Sequence, residues 1–176
     1  MSGHSKWSKI KHKKAATDAK KSKIFGKLVR FVTVEAKKAK GDINAPGLRV
    51  AIEKARASNM PGDNIERAIQ KGKTDTGAAM SEVTFEAYGP GGVAIIMEGL
   101  TENNNRTSQE VKLVLGKNGY ALAGQGSASW AFAREGREWK PTTLVPISEE
   151  DGEKLETLID ALEDLDDIQE VYTNAE

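Results

Sequence analysis

The apolar residues of this chain change period near residue 80, and that change limits the possible folds more than any other feature. Upstream they recur at helical spacing, and downstream they alternate as in strands. In residues 17–39, Phe25, Leu28, Val29, Val32 and Ala36 fall on one helical face. Leu48, Ala51, Ile52 and Ala55 repeat the pattern in a second helix, opened by Asn44 and Pro46 and broken at Asn59-Met60-Pro61-Gly62. A third is expected to start at Asp63, with Glu66 completing a capping box, and to end at Gly72. Its inward positions are Ile65, Ala68 and Ile69. Residues 17–73 therefore read as a three-helix bundle, and 74–80 as a polar linker.

From residue 81, Val83, Phe85 and Ala87 alternate with Glu82, Thr84 and Glu86. Gly89-Pro90-Gly91-Gly92 turns the chain into a second strand over residues 93–97. A helix with Val111, Val114 and Leu115 inward closes at Asn118-Gly119. Strands are expected at 127–133, around Trp130 and Phe132, and at 142–147. A helix capped by Ser148 follows, then a last strand at 168–173. The order β-β-α-β-β-α-β makes residues 81–176 an α+β sandwich of ferredoxin-like type.

Charge follows the same division. Residues 1–80 hold 19 bases and 7 acids, a balance of +12, and residues 81–176 hold 7 bases and 19 acids, −12, so the chain's net charge is zero. A basic end of this density calls for a polyanion. Residues 1–16 read as an extended basic arm bearing His4, Lys6, Trp7, Lys9, Lys11, His12, Lys13 and Lys14. Lys20, Lys23, Lys27, Arg30 and Lys37 form a stripe on the first helix, away from its apolar arc. These runs lack the acidic i+4 partners of a merely solvated helix face. Trp7 is placed either to stack on a base or to anchor the arm against the bundle. The two histidines have no cysteine or acid nearby, so they read as part of the polyanion-facing surface and not as metal ligands.

Other motifs carry less. Gly72-Lys73-Thr74 has Arg67 where a phosphate loop needs its first glycine, and it follows a helix where a strand is required. Gly89 to Ala94 mimics a dinucleotide fingerprint but leads into a strand. Thr101-Glu-Asn-Asn-Asn-Arg106-Thr107 could hold a phosphate at a helix start through Arg106, although plain helix capping is the favoured reading. The chain has no cysteine, no apolar leader and no run approaching the roughly 18 apolar residues of a membrane span. A cytoplasmic protein without membrane contact, cofactor, metal or small-molecule substrate is expected, and no catalytic constellation emerges. The oligomeric state is left open.

Five blocks also carry a resemblance: GHSKWSKIKHKKAATDAKKSKIFGKL, AIEKARASNMPGDNIERAIQKG, TFEAYGPGGVAIIMEGLTENNNRT, GQGSASWAF and LIDALEDLDDIQEVYTNAE. Together they resemble the YebC/PmpR family, which includes the mitochondrial translational activator of cytochrome oxidase. The resemblance implies a helical N-terminal domain, following α/β domains and no enzyme activity. Members of that family are described as probable DNA-binding transcriptional regulators, and some act on ribosomes during difficult nascent sequences such as proline runs. Typical members carry a further small α/β domain after the strand that ends here near Ala133. In this chain residues 134–138 close the gap, giving a short form without that third domain. The expected function is a nucleic-acid-binding regulatory factor, foremost a ribosomal-RNA-associated translation factor. The alternatives are a DNA-binding transcriptional regulator and a protein-interaction module using the acidic half.

Overall fold

A computed structural model describes residues 18–77 and 79–176, so the arm's residues, from His4 to Lys14, lie outside the described residues. The described chain divides into a helical unit up to Met80 and an α+β unit from Ser81 to Glu176.

The helical unit contains α1 (Asp18–Lys38), α2 (Pro46–Ala57) and α3 (Gly62–Thr74). Val32, Ala36, Leu48, Ala51, Ile52, Ala55, Ile65, Ala68 and Ile69 are all buried, as the helical spacing requires. The helix ends differ from expectation. Asn44 is not a cap: Ala45 holds that position with no side-chain bond, and Pro46 starts the helix. Asp63 lies inside the first turn of α3, behind Pro61, so the capping box does not form. A proline at the boundary already sets the backbone angle and removes one donor that would need a partner.

Gly72 does not terminate α3 either, since the helix runs on to Thr74. Gly72 is buried, and a Cβ there would stand 2.3 Å from the Thr33 carbonyl oxygen and 2.8 Å from the Ala36 Cβ. Its missing side chain lets α3 press onto the backbone of α1. The α2–α3 turn uses Asn59 at φ 61°, with the Met60 N–H donating to the Ala55 carbonyl at 3.0 Å.

The α+β unit is built on β1 (Ser81–Tyr88), β2 (Ala94–Thr101), β3 (Leu122–Ala123) and β6 (Ile168–Thr173), ordered β3-β1-β2-β6 and antiparallel throughout. Between them lie α4 (Asn104–Lys117), the hairpin β4 (Phe132–Glu135) with β5 (Glu138–Pro141), and α5 (Glu149–Glu163). One face of the sheet, with Val93, Ile95, Met97, Ile168 and Val171, packs on Val111 and Leu115 of α4 and Leu155, Leu158, Ile159 and Leu162 of α5. On the other, Ala94 and Ile96 meet Ala128, Ala131 and Phe132, with Trp139 and Tyr172 beside them. β2 is thus covered on both faces, which is why its sequence is nearly continuously apolar.

The α+β class holds, but β2 runs on to Thr101, β3 was not expected, and two of the expected strands form differently. Residues 127–133 fold as a single 3-10 turn, Ser129–Ala131, and pair only from Phe132 onward. Trp130 therefore points outward. Residues 142–147 make only one bridge, Val145 to Ala175. Pro146 supplies no N–H to continue a ladder, and Leu144 is left exposed. The strand partner after β4 is instead β5, at residues 138–141, with the turn of the hairpin at Gly136, φ 60°.

Gly72→Ala should destabilise the protein by about 1–3 kcal/mol through overpacking against α1. Gly26→Ala, where nothing lies within 4 Å, should instead stabilise it by about 0.4–1 kcal/mol. Denaturant unfolding of the two variants, giving opposite signs, checks the close approach.

Candidate nucleic-acid interface

The apolar face of α1 leaves Lys20 and Lys23 exposed near its start, while Lys27, Arg30 and Lys37 are half-buried. The stripe expected to run outward along the whole helix is therefore open mainly at its N-terminal part. From Phe31 onward the helix is enclosed on more than one side, because both α2 and α3 pack against it. Phe31 and Val34, outside the predicted apolar arc, are buried along with Val32, Glu35 and Ala36. A three-residue or four-residue period reads one packing partner well; it does not reveal a second.

Lys37 is committed to local structure. Its ammonium donates to the Gly77 carbonyl at 2.5 Å and lies 3.8 Å from the Asp75 carboxylate, holding the segment that leaves α3. Among bases that the sequence did not assign to the interface, Arg49, Arg56, Arg67, Lys71 and Lys73 are exposed on α2 and α3. They are interspersed with acids, so no run marked them. The first turn of α3 presents Asp63 and, one turn on, Glu66, both exposed.

Arg106 belongs to the other unit. At the start of α4 the Asn103 side chain accepts the Arg106 N–H at 3.1 Å, so this run does cap a helix. The Arg106 guanidinium donates to Asp167 at 3.0 Å, and that carboxylate is almost wholly buried. The Thr107 hydroxyl reaches the same oxygen at 2.7 Å, and the Thr101 hydroxyl stands 2.8 Å from that of Thr107. The hydrogen bond and charge of Asp167 raise the Arg106 pKa. The guanidinium is half-exposed, but its charge is largely answered within the protein.

A second buried carboxylate, Glu86 on β1, accepts three backbone N–H groups: Gly126 at 2.6 Å, Ala128 at 2.9 Å and Ser129 at 2.6 Å. Burial alone would raise its pKa. The donors from Gly126, Ala128 and Ser129 outweigh that and hold it below the ordinary value. This carboxylate organises the loop before β4. The sequence reading missed it because Glu86 occupies an alternating position that looks solvent-facing.

Residues 5–75 match the TACO1/YebC protein N-terminal domain, and residues 80–138 and 137–175 match the TACO1/YebC second and third domain. The chain belongs to the TACO1/YebC family. A probable transcriptional regulatory protein of Fervidobacterium nodosum is 38% identical over 235 aligned residues, covering 99% of this chain and 93% of the relative. One of Chlorobium phaeobacteroides is 50% identical over 169 residues, covering 94% and 66%. The crystal structure of a conserved hypothetical protein, Aq1575, from Aquifex aeolicus superposes with a TM-score of 0.83 at 33% identity, covering 98% of this chain and 97% of that one. An alignment of 235 residues exceeds the 176 of this chain, so the Fervidobacterium relative carries a segment with no counterpart here. The family match breaks at residues 137 and 138, in the hairpin β4–β5.

That hairpin is fastened to the sheet. Arg134 pairs with Glu98 and lies 4.8 Å from the Trp139 ring centroid, while the Trp139 indole donates to Glu98 at 2.6 Å.

Glu86→Gln should cost about 2 kcal/mol at neutral pH, since charge-assisted bonds weaken. The wild-type carboxyl titrates lower folded than unfolded, where its value is 4.5. Its contribution is therefore complete above that value and is lost as pH falls through the lower folded value. Urea unfolding at stepped pH should show the gap between wild type and Glu86→Gln closing only on acidification.

Proposed function

We infer that this chain is a regulatory nucleic-acid-binding factor whose basic N-terminal half neutralises RNA phosphates, with ribosomal RNA as the target and translation as the process regulated. The carrying observation is the +12 balance of residues 1–80 against −12 in the remainder, within a domain matched to this family. His4, Lys6, Trp7, Lys9, Lys11, His12, Lys13 and Lys14 supply the contacts together with Lys20, Lys23, Lys27, Arg30 and Lys37, while Arg106 lies in the acidic unit, where it pairs with Asp167. The names of the relatives support a regulatory role. The factor acts in the cytoplasm and without catalysis.

A DNA-binding transcriptional regulator is the second reading, favoured by those names and by the short α2–α3 connection, residues 58–61. In that reading α3 would enter a major groove by its N-terminal end. Asp63 and Glu66 would then approach the phosphates, which repel them. Shaped RNA, bound through its backbone, makes no such demand.

Neutralising about six to eight phosphates gives a slope of roughly −4 to −7 in log K against log salt. Lys20→Glu combined with Lys23→Glu should weaken binding and flatten that slope; a wild-type slope near −1 would refute the charge argument. Crosslinking in cells followed by sequencing distinguishes the two readings. Reads concentrated on ribosomal RNA are expected, and enrichment of promoter DNA would favour the second.

A further inference from the structure

Trp130 is 61% exposed and Tyr88 37% exposed, and they are joined: the indole N–H donates to the Tyr88 hydroxyl at 2.8 Å, which in turn donates to the Ser127 carbonyl. Lone apolar residues on a surface need no explanation. This pair differs because the fold holds it in place. Trp130 sits in the 3-10 turn Ser129–Ala131, between buried Ala128 and Ala131, and the loop leading into that turn is pinned by three backbone donors to buried Glu86. With its polar edges engaged inside the protein, the pair offers ring faces.

We propose that Trp130, steadied by Tyr88, is a stacking platform for an unpaired RNA base; this rests on the nucleic-acid reading above. Two observations select the occupant. The pair is drawn from the two longest uncharged stretches of the chain, residues 118–133 and 87–97, although residues 81–176 carry 19 acids and 7 bases. A nucleotide can thus bring its base to the platform while its phosphate is directed away. Area is the second. Besides these two rings, the large hydrophobic residues exposed among the described residues of this unit are Leu113 and Leu144. Leu113 lies on α4, the layer across the sheet. A stable protein partner needs on the order of 800 Å² per side, whereas one base needs one aromatic face. Stacking of this kind is tolerant of sequence, as every base has a π-face.

The test uses the full chain and a short single-stranded oligoadenylate, compared with the same ribose-phosphate chain lacking bases. Trp130→Ala should weaken oligoadenylate binding by about 5- to 100-fold, leave the salt slope unchanged, and leave binding of the abasic chain unchanged. Trp130→Phe, which keeps a ring face but loses the N–H, should recover most of the affinity. Matching thermal unfolding of the variants and wild type shows that the fold is kept, as expected for an exposed side chain. Equal affinity of wild type and Trp130→Ala for oligoadenylate, with a steep salt slope retained, would overturn the platform and leave the charge-based function standing. Equal loss on both oligomers would overturn it too. If the wild type binds neither oligomer, both proposals fall. Unchanged RNA binding together with weaker self-association of Trp130→Ala in sedimentation would assign the surface to a second copy of the chain.

Discussion

β2 is buried on both faces, and the rest of the α+β unit is arranged to make that possible. A strand with Ile95 and Met97 on one side and Ala94 and Ile96 on the other has no solvent face. It needs neighbours on both edges, which β1 and β6 provide, and a cover on each side. Helices α4 and α5 form one cover. The 3-10 turn and the β4–β5 hairpin form the other, and being short they need fastening. Glu86 fixes the loop, and Glu98 with Arg134 and Trp139 fixes the hairpin. Both carboxylates come from strands of the sheet itself, so the cover is tied to the surface it protects.

This explains how the chain can lack a segment that a relative carries. The break in the family match falls on residues 137 and 138, in a solvent-facing hairpin. There a connection can be long or short without moving Phe132 or Trp139 from the core face. Loop-closure entropy rises slowly with length, so a surface hairpin is a site where length changes cost little. The buried β2 cover is preserved either way.

Two of the polar side chains that the fold buries show how partners of matching kind are supplied. Asp167 meets Arg106 and Thr107; Asn174 accepts from the Ala94 N–H at 2.7 Å and donates to the Thr143 carbonyl at 2.9 Å. The second pairing holds residues 142–147 near the sheet in place of a regular ladder. It adds to the two backbone bonds of the segment, Val145 N–H to the Asn174 carbonyl and Glu176 N–H to the Val145 carbonyl, beyond which Pro146 has no N–H to give.

The period change at residue 80, the inward faces of α2 and α3, the Ser148 cap and the β6 span could all be read from residue spacing, because each depends on neighbours within one element. The charge division was legible for the same reason: it is a sum over residues, independent of how they pack. Tertiary structure decided what depends on a second partner. Gly72 resembles a helix stop in the sequence and is a close contact between two helices in the fold. Val34 falls in the basic arc of α1 and is buried because another helix covers it. Glu86 alternates like a solvent residue and becomes the anchor of a loop some forty residues later in the chain. Trp130 reads as a core strand residue, and the loop that Glu86 holds turns it outward. In each case the deciding atom is distant in sequence, where periodicity carries no information.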